Sequence, residues 1–278
     1  MVVDEDVVFH YTNASGALGI LTSKEIWTTL VYHLNDVQEA HYAQGLALQL
    51  VHESVDLIPE DHRGAFIERF RSTQAQVRQT HIFAASFSKN QDVLSQWRGY
   101  AGSGGYALGF SVAALESVAS ELVGVRTGHV CYDRTQQRKM LQPAISDLID
   151  SVGSTPIESI SREGLNPFWK SVMRIASVAP LIKHPGFAEE EEWRIYTDAS
   201  KRSDRQYDFI VKDGELVPIF KIKLKTVDKK NGRVDIGLRH IATGPGDHLE
   251  RRSNAILSLL YRYGIDFDMG INSQTPYR

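Results

Sequence analysis

Glu190-Glu191-Glu192-Trp193-Arg194-Ile195-Tyr196 is the stretch from which the fold of this chain is read. An acidic run passes directly into aromatic and β-branched residues, the composition of a buried strand. Side chains alternate between the two faces of a strand. Glu190, Glu192 and Arg194 are therefore expected on one face, with Trp193 and Ile195 buried on the other. The same rule puts Ser86 and Ser88 of Ser86-Phe87-Ser88 on a common face. It does so again for His10 and Thr12 in the run Val7-Val8-Phe9-His10-Tyr11-Thr12. A His, a Ser-x-Ser and a Glu-x-Glu, in that order on three strands, can line one polar cleft.

The 278 residues are enough for one large domain or two small ones. A hydrophobic content of 42% and a charged content of 23% are ordinary for a soluble globular protein. The net charge of -3 gives no general drive toward nucleic acid or membrane. Cys131 is the single cysteine, which excludes an internal disulfide and suits a reducing compartment. Its setting between Gly128 and Asp133 reads as a strand interior holding a buried, inert thiol. No His and Cys residues have the spacing of a zinc site. The start Met1-Val2-Val3-Asp4-Glu5-Asp6 lacks the pattern of a signal peptide. No run approaches the roughly 18 apolar residues of a membrane helix. The expectation is a cytoplasmic protein with no membrane contact.

Periodicity predicts a first strand over 7–11, a short helix capped by Asn13 or Ser15, and a second strand over 26–31. Asn35 and Asp36 offer a cap for a helix reaching about Val51. A further helix near 65–76 is polar enough to be expected at the surface. A strand over 82–88 and a short helix over 93–97 follow, broken by the glycines between Gly99 and Gly105. After the strand 106–111 and a helix bearing Val112, Leu115, Val118 and Leu122, another strand is expected over 128–132. Helices near 134–152 and 156–181 read as an insertion between strands, the second with Ile160, Phe168, Val172, Ile175 and Val178. The rest is strand-rich, over 193–196, 209–211, 217–225 and 234–241. Asn231-Gly232 signals a hairpin between the last two. Asp247 can cap a last helix, Gly264 can end it, and a terminal strand over 265–269 follows. With no repeat, low-complexity tract or long linker, one α+β domain over 1–278 is the simplest organisation.

Each candidate site also has a plainer reading. A glutamate run is commonly a solvated patch, and Arg194 can neutralise Glu190 and Glu192 as a structural ion pair. Against that, two carboxylates on one face of a buried strand would repel and one would gain a proton more readily. Serines at a strand end cap backbone groups, and no Gly-x-Ser-x-Gly elbow surrounds Ser86 or Ser88. His10 can be a histidine satisfied at a strand end. The glycines of 101–105 lack the strand-then-helix setting of a dinucleotide fingerprint. Thr243-Gly244-Pro245-Gly246 reads as a turn. Lys221, Lys223 and Lys225 share a strand face and read as a solvated edge.

Taken together, several phrases resemble a family of bacterial proteins of unassigned function, DUF2971. They are Phe9-His10-Tyr11-Thr12, Leu34-Asn35-Asp36 with Glu39, Ser86-Phe87-Ser88, Gln96-Trp97-Arg98-Gly99-Tyr100 and Gly105-Tyr106-Ala107-Leu108-Gly109-Phe110. They continue with Phe187 through Glu190, Glu192-Trp193-Arg194, Thr243-Gly244-Pro245 and Ser273-Gln274-Thr275-Pro276-Tyr277-Arg278, covering nearly the whole chain. More distantly, the order His, Ser-x-Ser, Glu-x-Glu resembles the ADP-ribosyltransferase superfamily. That resemblance implies a mixed, split β-sandwich with helical insertions (here about 134–182) and NAD as co-substrate. His10, with Tyr11 and Thr12 beside it, would contact the NAD ribose or phosphate. Ser86 and Ser88 would support the nicotinamide ribose, Glu192 would hold the ribose hydroxyl at the breaking bond, and Glu190 would face the acceptor. Tyr11, Trp97 or Tyr106 would stack on the ring. Two departures stand out: Phe87 replaces a middle Thr, and a His start goes with a tyrosine-centred second motif elsewhere in that superfamily.

The chemistry so implied is glycosyl transfer. Cleaving the nicotinamide–ribose bond develops positive charge on the sugar, which a fixed carboxylate stabilises. Nicotinamide leaves readily, so no metal is required. The acceptor would be a protein side chain, a nucleic-acid base or water, the last making the enzyme an NAD glycohydrolase, and the bacterial relatives suggest a toxin or anti-phage effector with a neutralising partner protein. The rival is a catalytically inactive nucleotide- or protein-binding module of the same fold. A nuclease would need a metal on Asp36, Glu39 and Glu190, which are scattered in sequence.

Overall fold

Alternating burial organises the chain in a computed structural model that describes residues 6–33, 37–77 (37–40 by backbone alone), 82–102, 104–153, 167–198, 207–212 and 214–275. β1 (Val7–Thr12), α1 (Ala14–Ser23) and β2 (Glu25–Leu30) come first, then α2 (Val37–Glu53), α3 (Glu60–Val77) and β3 (Phe83–Ser88). The one-turn α4 (Leu94–Gln96) runs into a π-helical turn, Trp97–Ala101. β4 (Tyr106–Ser111), α5 (Val112–Glu121), β5 (Val125–His129), α6 (Arg134–Asp150) and α7 (Pro167–Val178) follow. The chain continues with β6 (Glu192–Thr197), β7 (Asp208–Lys212), β8 (Glu215–Lys223), β9 (Val227–Asp228), β10 (Val234–Asp235), β11 (Leu238–Thr243), α8 (Leu249–Tyr263) and β12 (Met269–Asn272). Side chains cap the starts of α1, α5 and α6: Asn13 accepts from Gly16 N–H, Ser111 from Ala114 N–H and Asp133 from Gln136 N–H.

Ten strands form one mixed sheet in the order β12-β11-β4-β1-β3-β2-β8-β7, with β6 and then β5 branching from β3. Its pairings are antiparallel apart from β11 with β12. Val8, Ala85, Phe87, Leu108, Phe110, Trp193 and Ile195 turn to one face and are buried under α1, α5 and α8. Behind the other face, α2, α3, α6 and α7 enclose a second core around Phe66, Phe70, Leu141, Leu148, Phe168 and Val172. Ala84 and Tyr196 connect the sheet to that layer through Ala176. The fold is α+β, one large mixed sheet with helices on both faces.

Several expectations need correction. α3 is not a surface helix, because Phe66 and Phe70, one turn apart, are both fully buried. α6 and α7 lie in the chain between β5 and β6 and share their core with α2 and α3 from an earlier crossover. β5 lies at 125–129 rather than 128–132, and Cys131 is partly exposed, making an isolated bridge to Ile182. Lys221 and Lys223 stand on β8, which pairs with β2 at both positions and with β7 over 215–219. Lys221 pairs with Asp208, and Lys225 pairs with Glu121. Gly232, at φ +76°, does turn a hairpin, but between the short β9 and β10. His248, not Asp247, stands at the start of α8, which Gly264 ends in a left-handed conformation. The last strand begins at Met269. The Asn35-Asp36 cap, the span 156–166 with Ile160, and Pro276-Tyr277-Arg278 lie outside the described residues.

Candidate functional site

The site follows from how β3 shares its edges. β6 occupies one edge from Ala84 to Ser88. On the other edge β2 pairs at Phe83 and Ala84, and β1 pairs only at Ser88. Between those points β1 and β2 part, with α1 connecting them. A cleft of about 420 Å³ opens there, a size suited to a small ligand. His10, Thr12 and Ser86 line its centre, Gln96, Arg98 and Tyr100 one wall, and Trp27, Ile210 and Lys212 the other.

At the split, His10 makes the contact that neither strand supplies. Its Nδ1 lies 3.0 Å from the Ser86 carbonyl oxygen. A carbonyl only accepts, so the proton sits on Nδ1 and Nε2 is left as an acceptor. Burial holds the His10 pKa below its ordinary value, partly offset by that hydrogen bond, so the ring is neutral at pH 7. The imidazole packs on Phe87 with ring centres 5.4 Å apart.

The remaining expected binding residues divide. Tyr11 borders the cleft, but its hydroxyl donates to Asn90 O at 2.7 Å and accepts from Val93 N–H at 3.1 Å. Its ring meets Trp97 edge-on at 4.6 Å, so it fastens segment 90–101 to β1. Ser88 is fully buried and caps the following turn by accepting from Asn90 N–H. Trp97 is fully buried with its indole N–H donating to Asp92 at 2.7 Å, and Tyr106 donates to Arg252 O from within the core. Neither ring reaches the cleft, because both are spent on packing. Trp27 and Tyr100 are the large aromatics beside Tyr11 that line it. The signal for Trp27 is an aromatic at an outward position of β2, alternating with buried Ile26 and Thr28.

The acids form a different centre. Glu190 ends a 3-10 turn over Pro185–Glu190, and Glu191 adopts a left-handed φ of 41° before β6 begins at Glu192. Glu190 and Glu192 thus do not alternate along one strand, yet their carboxylates converge. Lys183 Nζ lies 2.6 Å from Glu190 Oε2 and 2.8 Å from Glu192 Oε1. Arg194 holds the other Glu192 oxygen through Nε at 2.6 Å and Nη2 at 2.5 Å, and donates from Nη1 to Pro180 O. The Lys183, Glu192 and Arg194 side chains are at most 2% exposed, so this is a buried ion cluster. Burial pushes the Glu192 pKa up, but the Arg194 and Lys183 charges outweigh it and hold it at about 2. Burial, together with the Glu192 carboxylate, raises Glu190 to about 7 despite Lys183. Glu192 does not line the cleft; Arg194 does, and Glu192 fixes its guanidinium. Lys183 escaped the sequence reading because nothing local marks it.

Among the described residues lining the cleft there is no carboxylate, while Arg98, Arg194 and Lys212 are cationic. Such a lining suits an anionic ligand carrying an aromatic ring. Among the described residues no group of three His, Cys, Asp or Glu side chains could hold a metal ion, and no helix is long and apolar enough to cross a membrane. Asp36 and the Glu39 side chain lie outside the described residues.

Residues 96–195 match the model of a family, DUF2971, described as a protein of unknown function. The match supports the family resemblance. It runs from the cleft wall at Gln96 through Glu192 and Arg194. No curated protein and no solved structure matches the chain.

Proposed function

We propose that the split cleft binds NAD and that the chain acts on it as an ADP-ribosyltransferase-like enzyme, passing ADP-ribose to a macromolecular acceptor. Parting of the sheet around β3 supports reading the fold as a split β-sandwich of that type. One observation carries the ligand: a cation- and aromatic-lined cleft without a carboxylate among its described residues, in a chain of net charge -3. Arg98 and Lys212 would take phosphate oxygens. Trp27 or Tyr100 would stack on a ring, and His10 Nε2 would accept from a ribose hydroxyl. For transfer, the Glu192 carboxylate has to exchange contacts with Arg194 and Lys183 and meet the charge that develops on the sugar. A toxin or anti-phage role, with a neutralising partner, belongs to the same proposal.

A second reading rests on the geometry of Glu192, whose two oxygens are already held by buried cations. In it the cleft belongs to a catalytically inactive nucleotide- or protein-binding module. Calorimetric NAD binding and nicotinamide release, measured together on wild type and Glu192→Gln, separate the two. The enzyme reading expects wild-type release and a loss on the order of hundredfold or more in the variant. Binding without release identifies the module, and absence of binding removes NAD.

A further inference from the structure

The cleft wall contains a polar group that the protein leaves unanswered. Gln96 is only 5% exposed, lines the cleft, and its amide nitrogen has no hydrogen-bond partner among the described residues. A buried amide donor without an acceptor is costly, and native interiors hold few of them. Sequence pattern does not explain the cost: an apolar residue of similar shape would fill the same place without it.

The surroundings hold Gln96 in position. It ends α4 and leads into the π-helical turn Trp97–Ala101, a backbone form concentrated at functional sites. Asp92 ties this segment down, accepting from Trp97 Nε1 at 2.7 Å, Ser273 Oγ at 2.5 Å and Gln274 N–H at 2.9 Å. Tyr11 fastens it from the β1 side. The unpaired donor is therefore preorganised, with the cationic Arg98 and the ring of Tyr100 on the same wall.

We propose that Gln96 is a specificity residue of the cleft, its amide N–H donating to an uncharged acceptor on the heterocycle of the bound nucleotide, a ring nitrogen or carbonyl oxygen. This rests on the cleft being a nucleotide site. The cations are suited to the phosphates, and the neutral amide to the ring.

The test compares wild type with Gln96→Leu and Gln96→Met in calorimetric titrations with NAD and with ADP-ribose, alongside thermal melts. Removing the orphan donor is expected to leave the melting temperature equal or higher while NAD affinity falls about tenfold to hundredfold. An equal loss for ADP-ribose puts the contact at the adenine end, and a loss confined to NAD puts it at the nicotinamide end; either supports the role. Unchanged NAD affinity in both variants overturns the role of Gln96 while leaving the cleft assignment intact. Lower melting temperatures in both variants overturn it too, by making Gln96 structural. Absence of NAD and ADP-ribose binding in wild type removes the nucleotide site itself.

Discussion

Lys183 stands between two carboxylates that do not titrate alike. Glu190 has a folded pKa of about 7 against an ordinary 4.5, so the folded state keeps a proton that the unfolded chain gives up between those values. Its contribution to stability is present below pH 4.5 and declines as pH rises toward 7. Glu192, at about 2, acts in the opposite sense: its contribution is present above pH 4.5 and is lost as pH falls toward 2. Urea unfolding at pH 5 and pH 7.5 is expected to show wild type losing stability toward the higher pH more steeply than Glu190→Gln. Equal slopes in the two proteins would refute the raised pKa. At this scale the shared face of Glu192 and Arg194 was legible, because a strand has a period of two. The place of Glu190 and Lys183 was not, since their meeting depends on a 3-10 turn and the left-handed Glu191.

Among elements, the backbone approaches closely where Gly105, just before β4, meets the end of β1 and the π-helical turn. A Cβ at Gly105 would lie 2.2 Å from Thr12 O and 2.7–2.8 Å from Ala101. The first of these neighbours is backbone and the second has no side chain to rotate away, so the strands themselves must move. Gly105→Ala is expected to cost about 1–3 kcal/mol, seen as a melting temperature several degrees lower. It is also expected to weaken ligand binding, because Thr12 lines the cleft. A melt matching wild type would show that the approach is looser than described. The strand over Val7–Thr12 was readable from its β-branched and aromatic content, and the one at Phe83–Ser88 from Ile82, Phe83 and Phe87 in a run of small residues. The burial of α3 was marked only by Phe66 and Phe70 at i and i+4 within a polar sequence. That β8 is an inner strand was not readable, since partners distant in sequence leave no local trace.

For the whole molecule, β1 and β2 part on one edge of β3 within a single ten-stranded sheet, and a cleft lined by Arg98, Arg194 and Lys212 opens between them. His10 and Ser86 both line that cleft, with His10 Nδ1 3.0 Å from the Ser86 backbone carbonyl. The pairing of Glu192 with Arg194 was among the readings strand alternation allowed; that Lys183 would complete and seal the cluster was not, because side-chain direction on β6 fixes the face but not what covers it. A ligand filling the cleft has to touch both of these strands, His10 on β1 and Trp27 on β2. The most direct test is a nitrogen-15 spectrum of the imidazole and indole groups at pH 7.5 as NAD is added, with His10 and Trp27 assigned by single substitutions. His10 is expected to be the neutral Nδ1–H tautomer, with its Nε2 signal and the Trp27 indole signal both moving to saturation. Signals of both residues that stay fixed at high NAD would contradict the account.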